Sequence, residues 1–155
     1  MLSQTHEYAL RAAVFLASEE GEPRTAREIA AATSVPPGYL AKVLQQLVRG
    51  GIATSQRGLN GGFLLARPAS KVPVLDVVNA VDPIRRIHSC PLGLAEHERA
   101  LCPLHRTLDR AYAEIERSFA GSTLGDLTEG PKTRGDHCTW PAVERRPARR
   151  LARRR

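Results

Sequence analysis

Apolar positions crowd the start of the chain. Between Ser3 and Ser18 lie Tyr8, Leu10, Ala12, Ala13, Val14, Phe15 and Leu16, a density that predicts a helix buried around most of its circumference. Gly21 and Pro23 end it. Thr25-Ala26-Arg27-Glu28 reads as a capping box, with the threonine as cap and the glutamate reaching back. It opens a short helix through Ile29 and Ala30 to about Thr33. Pro36 and Pro37 suit the first turn of a third helix, where a missing N–H costs nothing. Leu40, Val43, Leu44 and Leu47 give that helix one apolar stripe, and Gly50-Gly51 stop it.

The period then changes. Ile52–Ser55 and Phe63–Ala66 read as two short strands. Gly58, Asn60, Gly61 and Gly62 lie between them and supply the conformational freedom of a tight hairpin. Three helices followed by a hairpin, with only a few residues between the second and third helices, is the order of a winged helix-turn-helix. Beyond Pro68, Val74, Val77, Val78 and Val81 mark a short amphipathic helix that Asp82-Pro83 breaks. Residues 84 to 100 lack a period and read as a loop. Leu101, Leu104, Leu108, Ala111, Ile115 and Phe119 then recur at spacings of three or four up to Gly121. This long one-sided helix needs more cover than a core of ~80 residues provides, and a second subunit is the expected cover. The fold class is therefore mainly α: a winged helix-turn-helix with a two-stranded wing and a long C-terminal dimerisation helix.

Charge changes the picture less than the net +7 suggests. Residues 145 to 155 hold seven arginines and no acid, and the rest of the chain carries 16 basic and 16 acidic residues. The basicity belongs to the C-terminal run, which suits either loose polyanion binding or a solubilising end. No stretch approaches the ~20 apolar residues of a membrane span. The N-terminus lacks a basic region followed by an apolar run, so a cytoplasmic protein is expected. Cys90, Cys102 and Cys138 are too few and too scattered for a disulfide framework. They are open to reading as buried hydrophobes, reactive thiols or metal ligands.

The third helix is the candidate recognition element. With its stripe turned inward, Gly38, Tyr39, Ala41, Lys42, Gln45, Gln46 and Arg49 lie elsewhere on its surface. Tyr39 suits a phosphate, Lys42 a guanine or phosphate, and Gln45 a bidentate contact to adenine. A merely solvated polar face would look the same. The hairpin Gln56-Arg57-Gly58-Leu59-Asn60-Gly61-Gly62 sets one cation at the base of a glycine-rich turn. Glycine permits close approach to a sugar–phosphate chain, and arginine favours a narrow minor groove. An ordinary turn is the alternative. A phosphate loop is disfavoured, because GxxxxGK[ST] is absent.

Several of these residues together resemble one family of bacterial regulators. They are Thr5-His6-Glu7-Tyr8-Ala9-Leu10-Arg11-Ala12, Tyr39-Leu40, Val43-Leu44, Leu47 with Gly50-Gly51, and Ser55-Gln56-Arg57-Gly58 with Gly61-Gly62-Phe63-Leu64-Leu65. The chain resembles the Rrf-two family, with its IscR-like and NsrR-like members, from Leu2 to about Leu127. The resemblance implies homodimeric winged-helix binding to double-stranded DNA, with the long C-terminal helix pairing the subunits and Arg57 entering the minor groove. With the reading of the third helix and the hairpin above, the expected contact residues are Gly38, Tyr39, Lys42, Gln45, Arg57, Gly58, Gly61 and Gly62. Cluster-binding members carry three cysteines in the loop, some with a histidine three residues after the last. Cys90, Cys102 and His105 fall on that pattern, while Glu96 stands where the middle cysteine would. Glu7 aligns with an acidic residue that caps the cluster from the other subunit. Thiolates and imidazole suit an iron–sulfur cluster, with the two-iron two-sulfur form favoured. The alternatives are direct thiol oxidation, a mononuclear metal, or no cofactor. Cys138, beside His137, has no part in the pattern.

The expected organisation is a DNA-binding domain at residues 1–67, a sensor loop and dimerisation helix at 68–128, and a disordered basic tail at 129–155. The expected function is a homodimeric transcriptional repressor sensing redox, nitric oxide or iron–sulfur status. A cluster-free regulator or a protein-assembly module is the alternative. GxSxG, HExxH and P-loop patterns are absent, so an enzyme is not expected.

Overall fold

The computed structural model describes residues 2–19, 21–58, 60–93, 100–128 and 140. Glu96, His97, His137, Cys138 and the arginine run at 145–155 lie outside them. Helix α1 spans Gln4–Ser18, α2 Ala26–Thr33 and α3 Pro37–Arg49. The wing follows as β1 (Ala53–Gln56) and β2 (Gly62–Leu65). A 3₁₀ turn at Ala69–Lys71 leads to α4 (Val74–Val81), α5 (Pro103–Ala120) and α6 (Leu124–Thr128).

Local chemistry accounts for the helix starts. Thr25 Oγ1 accepts from Glu28 N–H while the Glu28 carboxylate accepts from Thr25 N–H, the reciprocal box the sequence announces. Ser3 caps α1 in the same way with His6 as partner. The His6 Nδ1 accepts the Ser3 N–H at 3.0 Å, and Nε2 lies 2.6 Å from the Asp82 carbonyl oxygen. With Nδ1 accepting, Nε2 is the donor to the Asp82 carbonyl oxygen, so both ring nitrogens are engaged. Pro36 occupies the N-cap position of α3 without a side-chain hydrogen bond, and Pro37 is the helix's first residue.

The core gathers on α1. Ala9, Ala12, Ala13, Phe15 and Leu16 meet Ile29 of α2, the α3 stripe Leu40, Val43, Leu44 and Leu47, and Val77 of α4. Leu124 of α6 is fully buried in the same cluster. Its helix is held by a third capping box, with Thr123 N–H donating to Asp126 at 2.7 Å and Asp126 N–H to Thr123 Oγ1 at 3.2 Å. The α3 and α4 backbones approach closely at Gly50, where a Cβ would lie 2.6 Å from the Ala80 Cβ.

The wing is antiparallel, pairing Ala53 with Leu65 and Gln56 with Gly62. Both strands sit one residue away from their sequence-derived bounds, for a local reason. The Ile52 N–H closes the α3 terminus on Leu47 and its carbonyl accepts from Ala66, so Ile52 and Ala66 belong to the joint rather than to the ladder. The hairpin also gains a third partner that the pattern does not announce. Arg24 pairs with Phe63 through N–H···O distances of 2.9 and 2.7 Å. The Arg24 side chain is buried against Glu19 and Glu28.

Helix α5 begins at Pro103, two residues after Leu101, and packs against α4. None of its residues is buried, and Leu104 and Leu108 are 63% and 42% exposed. Between α1 and α5 lies a cavity of about 240 Å³ lined by His6, Asp82, Ile84, Tyr112 and Ile115 among others.

Candidate nucleic-acid interface and cysteine site

Burying Leu40, Val43, Leu44 and Leu47 leaves Tyr39, Lys42, Gln45 and Arg49 exposed along one side of α3, because residues three or four apart share a helix face. Gly38 and Ala41 are exposed beside them. Gln46 behaves differently. Its Nε2 donates to the Val81 carbonyl at 3.0 Å, so it ties α3 to the end of α4. Tyr39 is 52% exposed, and its ring meets Tyr8 of α1 edge to face at 5.8 Å. Gln4 in turn donates to the Tyr8 hydroxyl at 2.8 Å. Tyr39 thus has a supported orientation, which the sequence did not disclose.

Arg57 and Gly58 are exposed at the end of β1, the strand that packs against α3. Lys42, Arg49 and Arg57 form no ion pair among the described residues, whereas Arg24, Arg67 and Arg86 are paired. Gly61 and Gly62 have an internal reason to be glycine. A Cβ on Gly61 would lie 2.4 Å from the Gln56 carbonyl oxygen, and one on Gly62 would lie 2.6 Å from the Arg24 backbone. The turn can close only without side chains there.

The cysteine site lies at the start of α5. Cys102 is its N-cap residue, and Cys102 Sγ is 3.2 Å from His105 Nδ1. Cys90 Sγ is 4.0 Å from the same nitrogen. Both cysteines are thiols, and both are partly exposed. Segment 82–93 is held to α5 by Arg86, which bonds Asp109 twice and Glu116 once. Those hydrogen bonds, Arg86 first and the Ile87 N–H second, pull the Asp109 carboxyl down to about 2. They also push the Arg86 guanidinium above its ordinary value. Glu7 is elsewhere, on α1, where it accepts from Arg11 at 2.9 Å.

Two thiols and one imidazole are one donor short of the four that a two-iron two-sulfur cluster takes. Among the described residues no group of three or more His, Cys, Asp or Glu is arranged to hold a metal ion. The described residues do not by themselves make a cluster site.

Comparison with known proteins agrees with the architecture. The model of the Rrf2 family, described as iron-dependent transcriptional regulators, matches residues 2–130. CymR, the global cysteine regulator of B. subtilis, has a similar structure, with TM-score 0.68, 25% identity and coverage of 83% of this chain and 96% of that one. CymR of Staphylococcus aureus follows at TM-score 0.65 and 25% identity, covering 84% and 100%. T. potens IscR shares the fold at TM-score 0.66 and 22% identity, covering 83% and 86%. No helix among the described residues is long and apolar enough to cross a membrane. With three helices, a paired hairpin and a family match over most of its length, this chain belongs to the Rrf2 family of DNA-binding transcriptional regulators, which are not enzymes.

Proposed function

We propose that the protein is a cytoplasmic, homodimeric repressor whose grip on DNA depends on the redox state of Cys90 and Cys102. Tyr39, Lys42 and Gln45, with Gly38 beside them, enter the major groove. Arg57 enters the adjacent minor groove, with Gly58, Gly61 and Gly62 keeping the turn slim. The observation that carries this reading is the exposed row Tyr39, Lys42, Gln45 on α3, with an exposed Arg57 on the strand packed against it. The uncovered Leu104 and Leu108 support pairing of two subunits along α5.

At the sensor, His105 Nδ1 lies 3.2 Å from Cys102 Sγ and 4.0 Å from Cys90 Sγ, which sets both thiols about one imidazole. Hydrogen peroxide oxidises the Cys102 thiol to the sulfenic acid, its O–O bond breaking with one oxygen transferred to sulfur and the other leaving as water. The Cys90 thiol then displaces the sulfenic oxygen as a second water, closing a disulfide. Net, two thiols lose two electrons and two protons. The new bond draws segment 82–93 onto the start of α5.

The test is affinity for the protein's own promoter, reduced and peroxide-treated. Arg57→Ala weakens binding roughly ten- to hundred-fold, and Cys90→Ser with Cys102→Ser removes the redox dependence. Absence of binding in either state defeats the proposal. A second reading, iron–sulfur sensing, is favoured by the family's description as iron-dependent. Cys90, Cys102 and His105 would be ligands there, with Glu7 supplied by the second subunit. Broad visible absorption from anaerobically purified protein would select it.

A further inference from the structure

The cavity between α1 and α5 has a volume of about 240 Å³. At ~30 Å³ for each water, that is room for about eight waters, or a molecule of similarly few heavy atoms. Leu2, Ile84 and Ile115 supply apolar wall, and Asp82, Arg85 and Tyr112 supply polar groups. His6 lines it too, but both of its ring nitrogens are already engaged, by the Ser3 N–H and the Asp82 carbonyl oxygen.

Two opposite charges thus line one small cavity without neutralising each other. The Asp82 carboxylate meets His6 Nε2 only at 3.9 Å, beyond hydrogen-bond distance, and pairs with no lysine or arginine among the described residues. Arg85 forms no ion pair and no side-chain hydrogen bond among the described residues, whereas its neighbour Arg86 is spent on Asp109 and Glu116. The Tyr112 hydroxyl likewise has no hydrogen-bond partner among them.

We propose that this cavity binds a free α-amino acid with an apolar side chain, with leucine as the test case. A plain anion would meet Asp82, and a plain cation would meet Arg85. A neutral apolar molecule would strip water from both charges and return nothing. A zwitterion satisfies both at once. Arg85 takes the carboxylate in its planar fork, Tyr112 donates to the same group, and Asp82 takes the ammonium. Leu2, Ile84 and Ile115 cover the side chain. Leucine, with about nine non-hydrogen atoms, matches the space.

The site adjoins a joint of the fold. Consecutive carbonyls at the end of α4 are taken by different helices, that of Val81 by Gln46 of α3 at 3.0 Å and that of Asp82 by His6 of α1 at 2.6 Å. A ligand on the Asp82 carboxylate bears on the backbone to which α3 is tied, so its binding shifts promoter affinity. This coupling, unlike the binding itself, rests on the DNA-binding reading.

The experiment is calorimetry on the full-length protein without DNA, with L-leucine as the probe. Saturable binding at roughly millimolar affinity or tighter is expected. Leucinamide, which lacks the carboxylate, and isocaproate, which lacks the ammonium, should bind about tenfold more weakly or worse. Arg85→Gln and Asp82→Asn, both at exposed positions, should weaken leucine by a similar factor. Saturating leucine should change promoter affinity several-fold in the native protein and not in Arg85→Gln. No saturable heat up to about 10 mM leucine overturns the site, as it would if a second subunit filled the cavity. Isocaproate binding as well as leucine overturns the zwitterion, and native affinity in both variants overturns the location. Leucine bound with promoter affinity unmoved overturns the coupling alone. A protein that binds leucine and no promoter overturns the DNA-binding reading and leaves the site standing.

Discussion

The Arg86 guanidinium forks onto the Asp109 carboxylate, with Nε to Oδ1 at 2.7 Å and Nη2 to Oδ2 at 2.6 Å. This is the bidentate geometry that makes an arginine pair directional as well as attractive. Asp109 also accepts the Ile87 N–H at 2.9 Å. One carboxylate on α5 therefore fixes both a side chain and the backbone of the segment that carries Cys90. Asp109→Asn keeps the shape and removes the charge. The expected result is several-fold faster modification of Cys90 by a thiol reagent, with Cys102 less affected, read by mass spectrometry.

The same carboxylate predicts an acid response. Its folded value of about 2 lies below the ordinary 3.8, because Arg86 and then the Ile87 N–H stabilise the ionised form. A lowered carboxyl stabilises the fold fully above about pH 4, and the benefit is lost as pH falls toward 2. The melting difference between the native protein and Asp109→Asn should be constant from pH 5 to 8 and shrink toward pH 2.

Two glycines should respond in opposite directions. Gly62→Ala sets a methyl 2.6 Å from the Arg24 backbone, so it should cost about 1–3 kcal/mol and displace the wing. Gly38 has open space around its missing Cβ. Gly38→Ala should gain about 0.4–1 kcal/mol by restricting the unfolded chain. Denaturant melts measure both. A loss of DNA affinity in the stabilised Gly38 variant would place that position at the DNA surface.

Leu104→Glu combined with Leu108→Glu puts two charges on the uncovered face of α5. Sedimentation should show dimers for the native protein and monomers for the variant, with helix content retained. A monomeric native protein would sink the pairing.

What the sequence disclosed and what it concealed divide by range. The helices α1 to α4 were legible because each is built from a local apolar period, as in the Leu40 to Leu47 stripe, with the Thr25–Glu28 capping box as a further local signal for α2. Helix α6 had a signal, Thr123 followed by Asp126 three residues on, but its apolar run was too short to weigh against the surrounding polar residues. The Arg24–Phe63 pairing and the Arg86–Asp109 fork had none, since each joins residues far apart in the chain. His6 reads as a surface residue in any local pattern and is buried because a carbonyl 76 positions away meets its ring. At the candidate interface, the polar face of α3 and the glycine turn were legible, but the Tyr8 support beneath Tyr39 was not. Gln46 shares that polar face in sequence and faces α4 in the fold.

The pairing of Phe63 with Arg24 stitches the wing to the strand-like arm ahead of α2. A hairpin joined only at its base would swing, and a groove would have to select one pose and bear the entropic cost of fixing it. Here that freedom is already surrendered when the polypeptide folds. If the turn enters a groove as proposed, its recognition is rigid-body docking with a small entropic penalty, and selectivity falls on the duplex, whose own bending must match a fixed separation.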